Sequence, residues 1–142
     1  MNKATLRAEV ERLVKLGVLK KVNHSKWGAP CFIIPKKDHT VRFLTDLREL
    51  NKRIKRFLYP IPNIQDLLLK LEGFQWATAL DLNMGYYHIE LCPSSKKVCT
   101  IVLPWGKYEY QVLPQGLSNS PDIFQEKMSN LFRDLTFELH LT

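Results

Sequence analysis

Cysteine is scarce in this chain of 142 residues: there are three, Cys31, Cys92 and Cys99, and no C-x-x-C pair. An odd, unpaired set excludes a disulfide framework and gives no zinc site, so all three are expected as small, buried apolar side chains. The four histidines, His24, His39, His88 and His140, are scattered without ligand spacing, and no classical metal motif is present. No run approaches the ~18–20 consecutive apolar residues that a membrane span needs. The opening MNKATLRAEVERL reads as an acid-containing helix rather than a signal peptide. An intracellular, cytoplasmic protein with no membrane partner is the expectation. Repeats and low-complexity segments are also missing.

What remains is ordinary globular material, with 45% hydrophobic and 25% charged residues, enough for one domain with a modest core. Acidic residues are in the minority, 14 against 21 Lys and Arg, giving a formal charge of +7. The imbalance is local. Residues 1–60 carry 15 basic and 5 acidic side chains, whereas residues 61–142 carry 6 and 9. A one-sided basic surface suits a phosphate-rich partner, because each cation that neutralises a phosphate releases condensed counterions. A solvated charged face is the competing account, and charge alone does not separate them.

Apolar positions Leu6, Val10, Leu13 and Val14 recur at helical spacing over residues 4–16, and Gly17 follows where a left-handed cap is wanted. CFIIP (31–35) and VRFLTD (41–46) read as a hairpin turning at Lys37-Asp38-His39. Tyr59-Pro60-Ile61-Pro62 is extended and feeds a helix with cap Asn63, stripe Ile64, Leu67, Leu68 and Leu71, and stop Gly73. Strand-like runs are expected at 76–81, 86–91, 98–103 and 108–112. Ser120-Pro121-Asp122 then starts a helix, with Ser120 as cap and Ile123, Phe124, Met128, Leu131, Phe132 and Leu135 as its buried face. The fold class is α+β.

Asp81 stands between the apolar run WATAL and the segment Leu82-Asn83-Met84-Gly85-Tyr86-Tyr87. A carboxylate at a strand end can hold a hard cation such as Mg²⁺, which keeps several waters and leaves room for substrate phosphates. It can equally cap the following turn. Lys36, Lys37 and Arg42 would gather near one hairpin tip, where a planar guanidinium matches phosphate oxygens, unless they only protect a sheet edge. Of Tyr86 and Tyr87, strand alternation would send one inward and one outward. Gln115 precedes Gly116 and a capped helix, a position from which it could meet a nucleotide.

In their order these segments resemble the reverse transcriptases of long-terminal-repeat retroelements, particularly the gypsy type. The likeness is carried by LVKLGVLK, WGAPCFIIPKKDHTVRFLTDLRELNKRI, YPIPNIQDLLLKLEGFQWATALDLNMGYYHIEL and WGKYEYQVLPQGLSNSPDIFQEKM, from about Leu6 to Leu135. The resemblance implies a right-hand polymerase, with residues 1–56 and 89–119 as fingers and 57–88 and 120–142 as partial palm. It implies templated DNA synthesis on an RNA or DNA template-primer from deoxynucleoside triphosphates, by two-metal phosphoryl transfer with Mg²⁺. Asp81 matches the first metal carboxylate and Leu82 its backbone ligand. Lys36, Lys37 and Arg42 fall among the triphosphate contacts, and the amides of Met84 and Gly85 would face the phosphates. Tyr86 matches the ring that excludes a ribose 2′-OH. Gln115 falls beside the incoming sugar, and Asp46, Arg48 and Asn51 in the fingers signature that supports the template.

One departure bears on activity. After LFRDLTF the family continues into a strand bearing Tyr-x-Asp-Asp, whereas this sequence reads ELHLT, and Asp134 is its final aspartate. Two of the three catalytic carboxylates are missing. The expectation is a fragment truncated before that motif and inactive as an isolated polymerase, with a non-catalytic nucleic-acid-binding remnant as the alternative.

Overall fold

The computed structural model describes residues 3–37, 40–60 and 81–134, together with 63, 65, 66, 69, 73, 75, 76 and 78. Helix α1 (Lys3–Lys15) buries Leu6, Val10 and Leu13 as its apolar spacing requires, while Val14, at the edge of that stripe, is exposed. It ends as expected at Gly17, whose φ is +74°. The Gly17 amide donates to Val14 O and the Val18 amide to Leu13 O, each at 3.0 Å. This paired closure satisfies two end carbonyls, and only glycine reaches its middle position without a Cβ clash.

Strand β1 (Leu19–Val22) follows directly and was not anticipated, since LKKV alternates too weakly to stand out. Its partner is remote. The next elements are β2 (Cys31–Pro35), β3 (Val41–Thr45) and the short helix α2 (Arg48–Asn51). Beyond the 3₁₀ turn Gly85–His88 come α3 (Pro93–Val98), β4 (Thr100–Leu103), β5 (Gly106–Tyr110) and α4 (Ser120–Leu131). A three-stranded antiparallel sheet runs β1-β5-β4, with Leu19 opposite Tyr110 and Leu103 opposite Gly106. β2 and β3 form a separate hairpin in which Ile34 faces Arg42.

The hairpin is joined to the sheet through Ala29, whose amide donates to Thr100 O at 2.8 Å and whose carbonyl accepts from the Val102 amide at 3.0 Å. Gly28 permits this approach, because a Cβ there would overlap the Val102 side chain. The core lies between α1, the sheet and the hairpin, with Ile101, Tyr110, Leu13 and Leu113 each 2% exposed or less. Each fully buried side chain of this size contributes about 1.5–3 kcal/mol.

Several sequence expectations are corrected. Residues 86–91 are not a strand: the chain enters a 3₁₀ turn after Met84, and only Glu90 bridges, to Val112. Glycine 85 explains this, because it brings the turn against α4, where a Cβ would meet the Phe124 ring at 3.0 Å. In the run 98–103 the strand begins only at Thr100, since Pro93 at the first turn starts α3, which takes in Val98. β5 spans Gly106–Tyr110 rather than 108–112, because Gly106, at φ +149°, leaves a tight two-residue turn at Pro104-Trp105.

The cap of α4 is Asn119, not Ser120. Fully buried, Ser120 donates its hydroxyl to Pro114 O at 2.7 Å instead. Leu131, the last residue of α4, is 68% exposed and Phe132, which follows it, 38%. Of the thiols only Cys99 is buried; Cys31 is half-buried and Cys92 exposed. Burial pushes the Cys99 and Cys31 thiols up to about 11, whereas hydrogen bonds from Ser94 and Ser95 bring Cys92 down to about 7. The helix expected over 63–72, the strand over 76–81, the turn residues Asp38 and His39, and Leu135 lie wholly or largely outside the described residues.

Candidate nucleotide-binding cleft

The hairpin β2-β3 closes with the Lys36 amide donating to Thr40 O at 2.8 Å, which sets Lys36 and Arg42 on one rim of an open cleft. The cleft has a volume of about 1060 Å³, and Asp81, Leu82, Met84 and Gln115 line it together with those two cations. Asp81 is exposed to it rather than sunk in packing. Met84, at φ 55° and ψ 39°, holds the left-handed region that side chains resist at a cost of about 1–3 kcal/mol. Such strain gathers at functional turns.

Gln115 is held from two sides. Asn51 donates from Nδ2 to Gly116 O and accepts from the Ser118 amide, both at 2.8 Å, so one α2 side chain clamps the loop carrying Gln115. The Ser120 hydroxyl on Pro114 O fixes the other side. Asn51 therefore belongs to this site through the loop.

Asp46 and Arg48 do not line the cleft. The Asp46 carboxylate accepts from the Arg48 amide at 3.1 Å, from Nε at 2.9 Å and from Nη2 at 2.6 Å. The Arg48 side chain holds that carboxyl well down, at about 2, with help from the amide. Both residues border a second hollow of about 460 Å³ with Trp27, Gly28 and Pro30, where the Arg53 guanidinium lies 5.6 Å from the Trp27 ring centroid.

Lys37, Gly85 and Tyr86 are likewise not among the cleft-lining residues. Tyr86 packs edge-on against Phe124, centroids 5.2 Å apart and rings at 90°, while Tyr87 faces the cleft. The 3₁₀ turn is the reason: its rotation per residue differs from the alternation of a strand. Glu9 and Arg12 from α1, both missed by sequence reasoning, also line the cleft. The Glu-x-x-Arg spacing signalled a helical ion pair but not where it would face.

Among the described residues no group of three or more His, Cys, Asp or Glu is placed to hold a metal. Asp81 with the Leu82 carbonyl supplies part of a hard-oxygen donor set, and that part does not by itself fit two ions.

The mixed helix-and-strand fold matches that of reverse transcriptases. Residues 34–141 match the family model described as reverse transcriptase (RNA-dependent DNA polymerase), and the chain belongs to that family. A polyprotein of Cassava vein mosaic virus is 34% identical over 134 residues, covering 89% of this chain and 21% of its own length. The retrovirus-related Pol polyprotein from transposon 297 of Drosophila melanogaster is 33% identical over 132 residues, covering 89% of this chain and 12% of its own length. The chain thus spans about a fifth or less of these relatives and corresponds to part of a retroelement reverse transcriptase domain.

Among solved structures, the prototype foamy virus protease-reverse transcriptase aligns with a TM-score of 0.81 at 28% identity, over 93% of this chain and 18% of that one. A foamy viral protease-reverse transcriptase in complex with RNA/DNA hybrid aligns at 0.74, with 23% identity, over 94% and 18%. The family implies a divalent metal cofactor.

Proposed function

We propose that the cleft receives the triphosphate of a deoxynucleotide, as part of a reverse transcriptase centre to which residues 1–56 and 89–119 contribute fingers and residues 57–88 and 120–142 palm. The observation that carries this reading is that Lys36, Arg42, Asp81 and Gln115, far apart in sequence, line one cleft. Arg42 offers its guanidinium fork to phosphate oxygens and Lys36 a point charge, with Lys37 beside it. Asp81 and the Leu82 carbonyl would hold Mg²⁺, with further carboxylates supplied by residues other than these. The Met84 amide would face the phosphates and Gln115 the sugar, while Gly85 and Tyr86, the latter packed on Phe124, lie outside the cleft lining. Arg48, turned by Asp46, contacts the template strand of an RNA or DNA template-primer, and Asn51 sets the loop.

Titration with a labelled deoxynucleoside triphosphate in Mg²⁺ tests this. Saturable binding is expected, weakened roughly tenfold by Arg42→Ala, since hydrogen bonds to charged groups are worth about 1.5–3 kcal/mol and a solvated rim lies at the low end. No binding, or binding indifferent to Arg42→Ala, removes the reading.

A second reading, nucleic-acid binding without catalysis, draws on the 15 Lys and Arg of residues 1–60. Catalysis separates the two. With one metal carboxylate, the 142-residue chain is expected to give no primer extension on an RNA template in Mg²⁺; extension that disappears in Asp81→Asn would show it to be a polymerase in its own right.

A further inference from the structure

The cleft has a wall that the family signature does not supply. α1 places Thr5, Ala8, Glu9 and Arg12 along it, in the same cleft as Lys36 and Arg42. Glu9 and Arg12 are locked together: Arg12 Nε donates to one Glu9 oxygen at 2.9 Å and Nη2 to the other at 2.8 Å. The Glu9 side chain is only 12% exposed, whereas that of Arg12 is 49% exposed. A bidentate pair consumes one edge of the guanidinium plane and fixes the direction of the rest. The remaining Nη1 edge makes no hydrogen bond to any described residue.

An arginine anchored by Glu9 on one edge and open on the other, lining a cleft that also holds Lys36, Arg42 and Asp81, is arranged to receive an anion. Its orientation is settled before a ligand arrives, so little rotamer freedom is lost on contact. A guanidinium required only to close a surface helix pair would not need to face this hollow.

We infer that Arg12 is a further phosphate-binding residue of the cleft, positioned by Glu9 and donating to the triphosphate from α1. This rests on the proposed triphosphate-binding reading and assigns α1 a part in it. Glu9 acts through Arg12 and is a positioning residue; its charge also tempers the field of three cations in one cleft.

The test uses the 142-residue chain and a labelled deoxynucleoside triphosphate in Mg²⁺, with circular dichroism and thermal melting as checks on folding. Arg12→Gln is expected to weaken binding about tenfold, and Arg12→Lys to recover part of the loss by restoring charge without the fork. Glu9→Gln is the discriminating variant. If Arg12 meets phosphate, Glu9→Gln weakens binding clearly less than Arg12→Gln, because the cation stays and only its orientation is loosened while an opposing charge is removed. If the pair only braces α1, Glu9→Gln and Arg12→Gln weaken binding alike, and the inference fails. Should Arg12→Gln lose its fold, the Glu9→Gln/Arg12→Gln double variant, which removes both charges at once, replaces it with the same tenfold expectation. Normal binding by folded Arg12→Gln together with a loss in Arg42→Ala overturns the role of Arg12 alone. Absence of binding in every protein, wild type included, overturns the cleft reading and this inference with it.

Discussion

Replacing Tyr110 by alanine is expected to lower the stability of the fold by about 3–5 kcal/mol, the usual cost of emptying a buried aromatic site. Tyr110 is 2% exposed and sits at the end of β5 opposite Leu19 of β1. Its hydroxyl is 2.8 Å from Thr45 Oγ1 on β3, and the Tyr87 phenol is a further partner. One side chain thus ties the three-stranded sheet, the basic hairpin and the segment following Asp81. Burial pushes its phenol far above the ordinary tyrosine value, so the ring stays neutral at every pH of use. Marginal domains hold about 5–15 kcal/mol in all, so Tyr110→Ala should melt far below the parent protein or fail to fold. Tyr110→Phe keeps the packing and loses only the hydroxyl's bonds, about 1–2 kcal/mol. Chemical denaturation of the three proteins checks the order, and near-equal losses in the two variants would show that the hydroxyl network, not the ring, carries the effect.

Acid is expected to unfold this chain through Asp122. The carboxylate is 3% exposed at the start of α4, where Oδ1 accepts from the Tyr59 amide and Oδ2 from Arg56 Nε, each at 3.0 Å. The Tyr59 amide first, and then the Arg56 guanidinium, hold its carboxyl below the usual carboxylate range. A group whose pKa is lower folded than unfolded stabilises the fold fully above the unfolded value of about 4. That contribution is lost as pH falls from there through the folded value. Asp122→Asn keeps an acceptor oxygen but no charge, so it should be less stable at pH 7 and show a flatter loss between pH 5 and pH 2. Thermal melts across that range read both. An unchanged acid slope in the variant would place the acid-sensitive carboxylate elsewhere, Asp46 being the next choice because Arg48 holds it at about 2.

Much of the fold was legible because its signals are local. Gly17 after a helical stripe, the run CFIIP paired with VRFLTD, and Pro121 at a helix start each obey rules that operate within a few residues, and each was observed. Lys36, Arg42, Asp81 and Gln115 were recognised by their order in blocks, which needs no geometry. What failed was whatever depended on a distant partner. β1 is a strand because Tyr110, 91 positions later, pairs with Leu19. The Tyr-Tyr segment is a 3₁₀ turn because Gly85 meets Phe124 of α4.

The amino-acid order alone determined which chemistry is present: a basic first part, a solitary carboxylate after an apolar run, and a glutamine before Gly116 in a loop. Periodicity and turn chemistry act over a few bonds, so they are written in any short window. Packing decided the rest, since burial depends on which surfaces meet. It drew Asp81 and Gln115 to the hairpin, turned Tyr86 onto Phe124 and left Tyr87 facing the cleft, and brought Glu9 and Arg12 from α1 to a wall that no local pattern records.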